Sequence, residues 1–258
     1  MKKILFFPLY TGEFGWELMV WQGFLRKVAE DFDEVHGVCF EPFKYLYEDF
    51  TDKLYVSKPT ERLLVPAHEV PKNVQEAIEK LRNEEGTEVS VFDSRQTLPL
   101  WHRQELAKYK SYKKKCKKKY DAVLHLRKME HRAEDNDDPD WNLRLVRRLL
   151  SEGKKIALIG TSQGTQDVNV LVDKYYDKPL SEVIEVMNQA KFVVGQSSGP
   201  MHLAALCEAE TIVWSTTRGD GLLERYETIW NPFKNKVNYL VKPSVEDIVK
   251  IVKGDGKI

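Results

Sequence analysis

The sequence predicts an α/β protein made of two halves, each a parallel sheet covered by helices. Short apolar runs alternate with stretches whose apolar residues recur at helical spacing. The alternation begins again after a lysine-rich segment near the middle of the 258-residue chain. Hydrophobic residues make up 42% of the sequence, which is enough to give each half a core.

The first half opens on the apolar run ILFFPLY, residues 4–10. Its place after two lysines resembles the start of a signal peptide. A proline interrupts the run and no small-residue cleavage site follows, so we interpret it as a buried strand. Further elements are predicted from periodicity: a helix at 17–30, a strand at 35–40, a helix around 74–81 and a strand near 89–93.

The second half repeats this order. Strands are predicted at 122–127, 155–160, 192–195 and 211–215, with helices around 141–150, 183–190 and from Pro200. A last helix is predicted from Ser244, where Asp247 completes a capping box. We therefore expect a first domain at 1–112, a second domain at 120–243, and a terminal helix and tail at 244–258.

The boundary between the halves falls in KYKSYKKKCKKKY, residues 108–120, which contains eight lysines. Such a block repels itself and cannot enter a core, so it is predicted to be a solvated helix end or a linker. The functional alternative is a patch for an anionic membrane surface or a nucleic acid, with weak contact through Lys113 to Lys119. The net charge predicts neither partner, because 40 basic side chains balance 40 acidic ones.

The cysteines and the apolar runs bear on location. Cys39, Cys116 and Cys207 lie far apart without a CxxC pattern, which predicts no disulfide framework or zinc site and favours a reducing cytoplasm. No run approaches the ~18 apolar residues of a membrane span. We expect a cytoplasmic protein that contacts a membrane peripherally if at all.

The segment KFVVGQSSGPMHLAAL, residues 191–206, is the most informative in the chain. It contains G-x-S-x-G between a predicted strand and a predicted helix, the context of a hydrolase nucleophile elbow at Ser197. Chain order disfavours that chemistry, because an acid and then a histidine should follow the serine. His202 alone among the histidines follows, on the helix directly behind.

An anion site fits the same residues better. Pro200 suits the first helical position, Gly199 lets a ligand approach the backbone, and the helix start offers N–H groups. Ser197 and Ser198 add hydroxyl donors, and His202 lies one turn further on. The structural alternatives are that the serines cap the helix and that His202 is a satisfied, partly buried histidine.

Residues 177–216 resemble the nucleotide-sugar-binding half of the heptosyltransferase-like glycosyltransferases of family 9, through V-G-x-x-S-G-x-x-H-L-A-A. Ser197 stands where that family has aspartate. The resemblance implies a GT-B-like fold, with two Rossmann-like domains, parallel sheets and an interdomain cleft. It also implies inverting transfer of a sugar from a nucleotide-diphosphate sugar, the co-substrate, to an acceptor hydroxyl, with no cofactor.

A second segment, residues 121–160, resembles the H-x-R strand end of fucosyltransferase-type GT-B enzymes. The resemblance implies that Arg127 meets the donor diphosphate; an ordinary surface arginine is the alternative. Thr161 and Gln163 follow the next strand at the same sheet edge and are expected to line the nucleotide. Asp135 and Asp137 lie in an acidic loop rather than at a strand end, so we predict no catalytic metal.

The first half is expected to bind the acceptor and to hold the general base. Gly12 and Gly15 make a tight loop after the first strand. The family's corresponding turn carries an aspartate as proposed base, and alignment on the helix places Glu17 there, with Glu13 as the second choice. The alternative for Glu17 is an acid in a first helical turn, where the helix dipole stabilises it.

Two other function classes stay open at this point. One is a non-catalytic nucleotide- or glycan-binding module, which the serine at position 197 keeps open. The other is a serine hydrolase that uses Ser197. The nucleotide base, the sugar and the acceptor, whether glycan, glycolipid or another hydroxyl compound, are not identified by the sequence.

Overall fold

The computed structural model describes residues 1–57, 72–92, 101–130, 132–216 and 221–255. The chain divides into two compact units, Met1–Tyr109 and Lys110–Ile258. Within the described ranges, no helix is both long and apolar enough to cross a membrane.

The described part of the first unit is built on a parallel sheet in the order β3-β2-β1-β4. Its strands are β1 (Lys2–Phe7), β2 (Glu34–Phe40), β3 (Lys53–Ser57) and β4 (Thr87–Val91). Between β1 and β2 the chain forms α1 (Phe14–Trp16), a π-helical turn (Glu17–Trp21) and α2 (Gln22–Val28). Helix α3 (Lys72–Arg82) precedes β4.

The described part of the second unit contains a longer parallel sheet in the order β10-β9-β8-β5-β6-β7. Its strands are β5 (Tyr120–His125), β6 (Ile156–Gly160), β7 (Asp173–Tyr176), β8 (Ala190–Gln196), β9 (Glu210–Ser215) and β10 (Val237–Val241). The helices are α4 (Pro139–Ser151), α5 (Leu180–Asn188), α6 (Gly199–Leu206), α7 (Gly221–Glu227) and α8 (Val245–Lys253).

The central strands are buried because their sequences are continuous apolar runs. Ile4–Phe7 of β1 and Ala122–Leu124 of β5 are buried throughout, as expected for parallel strands covered on both faces. The first strand ends before Pro8 rather than at residue 10 as predicted, since proline has no N–H for the ladder.

The lysine-rich segment forms neither helix nor strand between Lys108 and Lys119. Seven of its eight lysines are exposed and Lys110 is half-buried, but the backbone is fixed to the end of α5. The amide of buried Asn188 accepts from Lys114 N at 2.7 Å and donates to Tyr112 O at 3.0 Å. Of the two structures predicted for this segment, a linker is correct and a helix end is not.

The terminal helix α8 packs in the core of the second unit. Ile248, Val249 and Val252 are buried in the same cluster as Leu145 and Leu149 of α4. The predicted capping box is confirmed, since Ser244 accepts from Asp247 N while the Asp247 carboxylate accepts from Ser244 N.

Candidate functional site

The sheet of the second unit reverses its winding direction between β5 and β8, and the ends of these strands form the site. In such sheets ligands bind beyond the carboxyl ends of the strands, at the reversal. His125 at the end of β5 pairs with Gly195 of β8. A Cβ at Gly195 would lie 2.8 Å from the His125 carbonyl oxygen, so the close approach of the two strands requires glycine.

Ser198 occupies the N-cap position directly before α6, but its side chain does not cap the helix. Its backbone is extended and its side chain makes no capping hydrogen bond. Instead its Oγ lies 3.0 Å from Nδ1 of His125. Burial, and secondly the charge of Arg127, lower the pKa of His125 to about 4, so the ring is neutral at pH 7. The pair fixes a hydroxyl beside the N–H of Gly199, a group that has no acceptor within a helix.

Ser197 pairs with a tyrosine. Its Oγ accepts a 3.0 Å hydrogen bond from the hydroxyl of Tyr226. A hydrolase would need a histidine in that place, and Ser197 therefore lacks the predicted elbow's chemistry in this arrangement. Ser197 does not cap α6 either, since its hydroxyl pairs with that of Tyr226.

His202 lies in an aromatic cluster one turn behind the helix start. Its ring stacks on Tyr226, with centroids 5.6 Å apart, and meets Trp230 edge-on at 4.6 Å. The side chain is 7% exposed, and burial lowers its pKa to about 3. Among the described residues Nδ1 has no hydrogen-bond partner. His202 is therefore buried but not fully satisfied, and its expected role at the donor site stays a prediction.

The strand β5 ends at His125 rather than at residue 127 as predicted, so Arg127 lies just beyond it. Arg127 is 4% exposed and is not a surface arginine. One guanidinium nitrogen donates to the carbonyl oxygen of Arg132 at 3.0 Å and to Oδ1 of Asn136. Asn136 in turn donates to Met129 O at 2.8 Å. Arg127 thus holds the loop that follows its strand.

Thr161 and Gln163 lie exposed after β6, at the same edge of the sheet. The turn is held by its own side chains: Thr161 N donates to Thr165 Oγ1 at 3.1 Å, and Gly164 N donates to Thr161 Oγ1 at 2.9 Å. The Thr161 hydroxyl is therefore already an acceptor within the turn, whereas its proton can still be donated to a ligand.

In the first unit, the loop after β1 carries both candidate bases. The sheet reverses between β1 and β4, so this loop also lies at a reversal. Glu17 is 2% exposed, and its Oε1 accepts from the Tyr47 hydroxyl at 2.6 Å. Glu13 is half-exposed, between Gly12 and Gly15, and precedes α1. Because a base must reach its substrate, this geometry favours Glu13 over Glu17.

Comparisons with known proteins are informative at the level of structure. No family model matches the chain, and no curated protein matches it in sequence. Escherichia coli ADP-heptose LPS heptosyltransferase II superposes with a TM-score of 0.63 at 10% identity, over 98% of each chain. E. coli heptosyltransferase WaaC with ADP gives 0.59 at 13% identity, over 98% of this chain and 100% of that one. A glycosyl transferase family 9 protein from Veillonella parvula gives 0.58 at 13% identity, over 98% and 91%.

The chain has the GT-B fold. The fold class expected from residues 177–216 is thereby confirmed. The H-x-R resemblance around Arg127 stays a prediction.

Metal ligands are a further question for this GT-B protein. In the ranges that the structure describes, no group of three or more His, Cys, Asp or Glu side chains is arranged to hold a metal ion. Asp137 of the acidic loop accepts from Trp214 Nε1 at 3.0 Å. Burial raises its pKa to about 6, and this hydrogen bond partly opposes the shift.

Two residues of this GT-B site were missed by the sequence analysis as ligand-site residues. His125 and Tyr226 each fix one serine of the GQSSGP segment, from 73 and 29 residues away. His125 could have been found from its place at a strand end beside Arg127. Nothing in the sequence of α7 distinguishes Tyr226 from a core tyrosine.

Proposed function

We propose that this protein transfers a sugar from a nucleotide-diphosphate sugar to an acceptor hydroxyl. The observation that carries the proposal is the Ser198–His125 pair at the start of α6, at the reversal of a sheet with the GT-B fold. A heptose carried by ADP is the first donor to test. One structural neighbour is named for ADP-heptose, and WaaC has been solved with ADP and with ADP-2-deoxy-2-fluoro heptose.

The donor half of the mechanism is electrostatic. As the bond to the sugar breaks, negative charge develops on the leaving diphosphate. The Gly199 N–H, the Ser198 hydroxyl and the positive end of α6 would stabilise that charge, without a metal ion. Neutral His125 keeps the Ser198 hydroxyl in place. Arg127 supports the loop at the same edge and adds positive charge behind it.

The acceptor half needs a carboxylate. We assign the base to Glu13, which would take the proton of the acceptor hydroxyl as its oxygen attacks the anomeric carbon opposite the diphosphate, with inversion. Glu17 is the second choice, and its bond to Tyr47 suits it to support the helix below the loop.

A non-catalytic nucleotide-binding module is the second candidate. Burial of Glu17 favours it, because that residue was the first choice for the base. Serine at position 197, where the resembled family has aspartate, favours it too.

Calorimetric titration with ADP, GDP and UDP in the presence of EDTA tests the donor cradle, by which we mean Ser198, Gly199 and the start of α6. Ser198→Ala should weaken binding of the preferred diphosphate by roughly tenfold or more, the loss expected for a hydrogen bond to a charged group. The control is Ser151→Ala, at the end of α4, where the hydroxyl bonds to Arg148 O. Equal affinity of wild type and Ser198→Ala would overturn the cradle.

Transfer of a sugar is tested separately, with donors in which a sugar is linked to the preferred nucleoside diphosphate. Glu13→Gln should abolish turnover and keep diphosphate affinity, whereas Glu17→Gln should chiefly lower stability. Binding without turnover by wild type, across donors and acceptors, would favour the module.

A further inference from the structure

A groove of about 270 Å³ lies at the carboxyl edge of the second sheet, between the loop that follows β5 and the residues that follow β9 and β10. It lies between the start of α4 and the residues that follow β9 and β10. Its lining includes Asp137, Trp141, Arg144, Thr216, Lys242 and Pro243. None of the donor-site residues assigned above lines it.

The groove presents an aromatic ring and a carboxylate together. Trp141 is half-buried and packs against the indole of Trp214, with ring centroids 5.5 Å apart. One oxygen of Asp137 accepts from Trp214 Nε1, and the other has no partner among the described residues. An indole face beside a carboxylate suits a sugar, whose C–H face is apolar and whose hydroxyls donate hydrogen bonds.

The groove also carries two positive charges, and besides Asp137 it has a second carboxylate, Asp138, which caps the start of α4. Arg144 on α4 and Lys242 after β10 are both exposed, and neither forms an ion pair with a described residue. Lys242 is fixed by its backbone, with φ at 46° and its N–H bonded to Ser215 O at 3.0 Å. The neighbouring Thr216 Oγ1 is buried and unpartnered within the described part of the chain.

We infer that this groove binds a sugar that carries an anionic group, a phosphate or a carboxylate. Arg144 and Lys242 hold the anion, Asp137 accepts from hydroxyls, and Trp141 covers the ring. A neutral sugar would leave both cations unpaired, and a bare anion would leave the aromatic ring and Asp137 unused. The site goes beyond the proposed transferase function and does not depend on it.

The groove adjoins the donor edge through one side chain. Asn136 lines the groove and also bonds to the buried guanidinium of Arg127. An occupant therefore touches the loop that covers Arg127, and its binding should change the affinity for a nucleotide diphosphate, by an equal factor in each direction.

Calorimetric titration of the full chain with four probes tests the inference: glucose 6-phosphate, glucuronate, glucose and inorganic phosphate. One of the two anionic sugars should bind roughly tenfold more tightly than glucose and phosphate, a difference of ~1.4 kcal/mol. The tighter of the two identifies the anion. Inorganic phosphate binding as tightly as the better of the two anionic sugars would indicate a site for an anion alone and would overturn the inference. Absence of binding by both anionic sugars at millimolar concentration would overturn it too.

Variants locate the site. Arg144→Gln and Lys242→Gln should each weaken binding of the anionic sugar at least about fivefold, less than the loss expected for Ser198→Ala because both side chains are exposed and solvent screens their charge. The matched control is Arg147→Gln, an exposed arginine on the same helix that does not line the groove. Equal losses in Arg144→Gln and Arg147→Gln would overturn the assignment. Ser198→Ala should leave this binding unchanged, which separates the groove from the proposed donor cradle.

Discussion

Two histidines of the second unit are kept neutral mainly by burial. The pKa of His125 is lowered to about 4 and that of His202 to about 3, and desolvation is the first cause in both. In the unfolded chain a histidine titrates near ~6.5. Below that pH the histidines bind protons in the unfolded state but stay neutral in the folded state. The free energy of unfolding is therefore highest above pH ~6.5 and decreases as the pH falls toward the pKa values of the folded state.

His202→Phe should therefore make the protein less sensitive to acid. Phenylalanine keeps an aromatic ring between Tyr226 and Trp230 and removes a nitrogen that lacks a partner among the described residues. Each such histidine costs about 1.4 kcal/mol per pH unit below its unfolded pKa. Urea unfolding at pH 7.0, 5.5 and 4.5 measures the loss, and the variant should lose less than wild type by about that slope. Parallel losses in both proteins would contradict the assignment of a neutral buried ring.

Gly195→Ala should push apart β5 and β8, the two strands whose ends form the proposed donor site. The added methyl would meet the His125 carbonyl oxygen at 2.8 Å, and a backbone atom cannot move aside cheaply. We expect a loss of roughly 1–3 kcal/mol in unfolding free energy, the usual cost of overpacking, together with weaker diphosphate binding. Gly221→Ala is the control, because its methyl would meet nothing within 4 Å. Unchanged binding by Gly195→Ala would show that strand spacing does not set the cradle.

At the scale of elements, apolar runs and periodicity predict the central strands and the edge strand β4, whereas three other edge strands are not predicted. β1, β2, β5, β6, β8 and β9 carry apolar runs because parallel strands inside a sheet are covered on both faces. β3, β7 and β10 lie at the edges, are largely half-exposed, and carry sequences such as DKYY and VNYLV. These edge strands form mainly because they make backbone hydrogen bonds to a neighbouring strand. The hydrophobic periodicity of their own sequences therefore does not predict them.

The site was predictable in the same measure. Strand ends and the helix start at Gly199 follow from local pattern, so the sequence places the candidate residues Ser197, Ser198, Arg127 and Thr161 at the carboxyl edge of the second sheet. The hydrogen-bond partner of each serine comes from a distant part of the sequence, His125 for Ser198 and Tyr226 for Ser197, so local pattern does not predict it. Burial of Glu17 was hidden too, since Tyr47 comes from the segment after β2.

Asn188→Ala should release the lysine-rich segment from α5. The Asn188 amide bonds to Lys114 N, Tyr112 O and Ile184 O, so its loss leaves several backbone groups unpaired. We expect faster tryptic cleavage within residues 110–119, which are rich in lysine, before any global unfolding. Gln189→Ala is the matched control, because that side chain bonds to Glu185 on the same helix. Equal cleavage rates in the two variants would show that Asn188 does not fix the segment.

At the scale of the whole molecule, the chain changes units between Tyr109 and Lys110, and each side is fixed to its own unit. Lys108 N donates to Gly23 O at 2.9 Å in the first unit. Tyr112 N donates to Leu206 O at 2.8 Å in the second, where Ser111 also bonds to Glu208 at 2.6 Å. The principal apolar core of the second unit lies entirely within it, from Ala122 to Val252.

Residues 110–258 should therefore fold alone and bind the nucleotide diphosphate. The fragment contains His125, Ser197, Ser198 and Gly199, the capped helix α8, and a core of a size that supports independent domains. We expect cooperative thermal unfolding and a diphosphate affinity within about threefold of the full chain, a difference under ~1 kcal/mol. Transfer should be absent, because Glu13 lies in the other unit. A folded fragment that binds at least about tenfold more weakly would assign part of the donor site to the first unit. Transfer by the fragment would show that Glu13 is not the base, because a group of the second unit would then have to accept the proton of the acceptor hydroxyl.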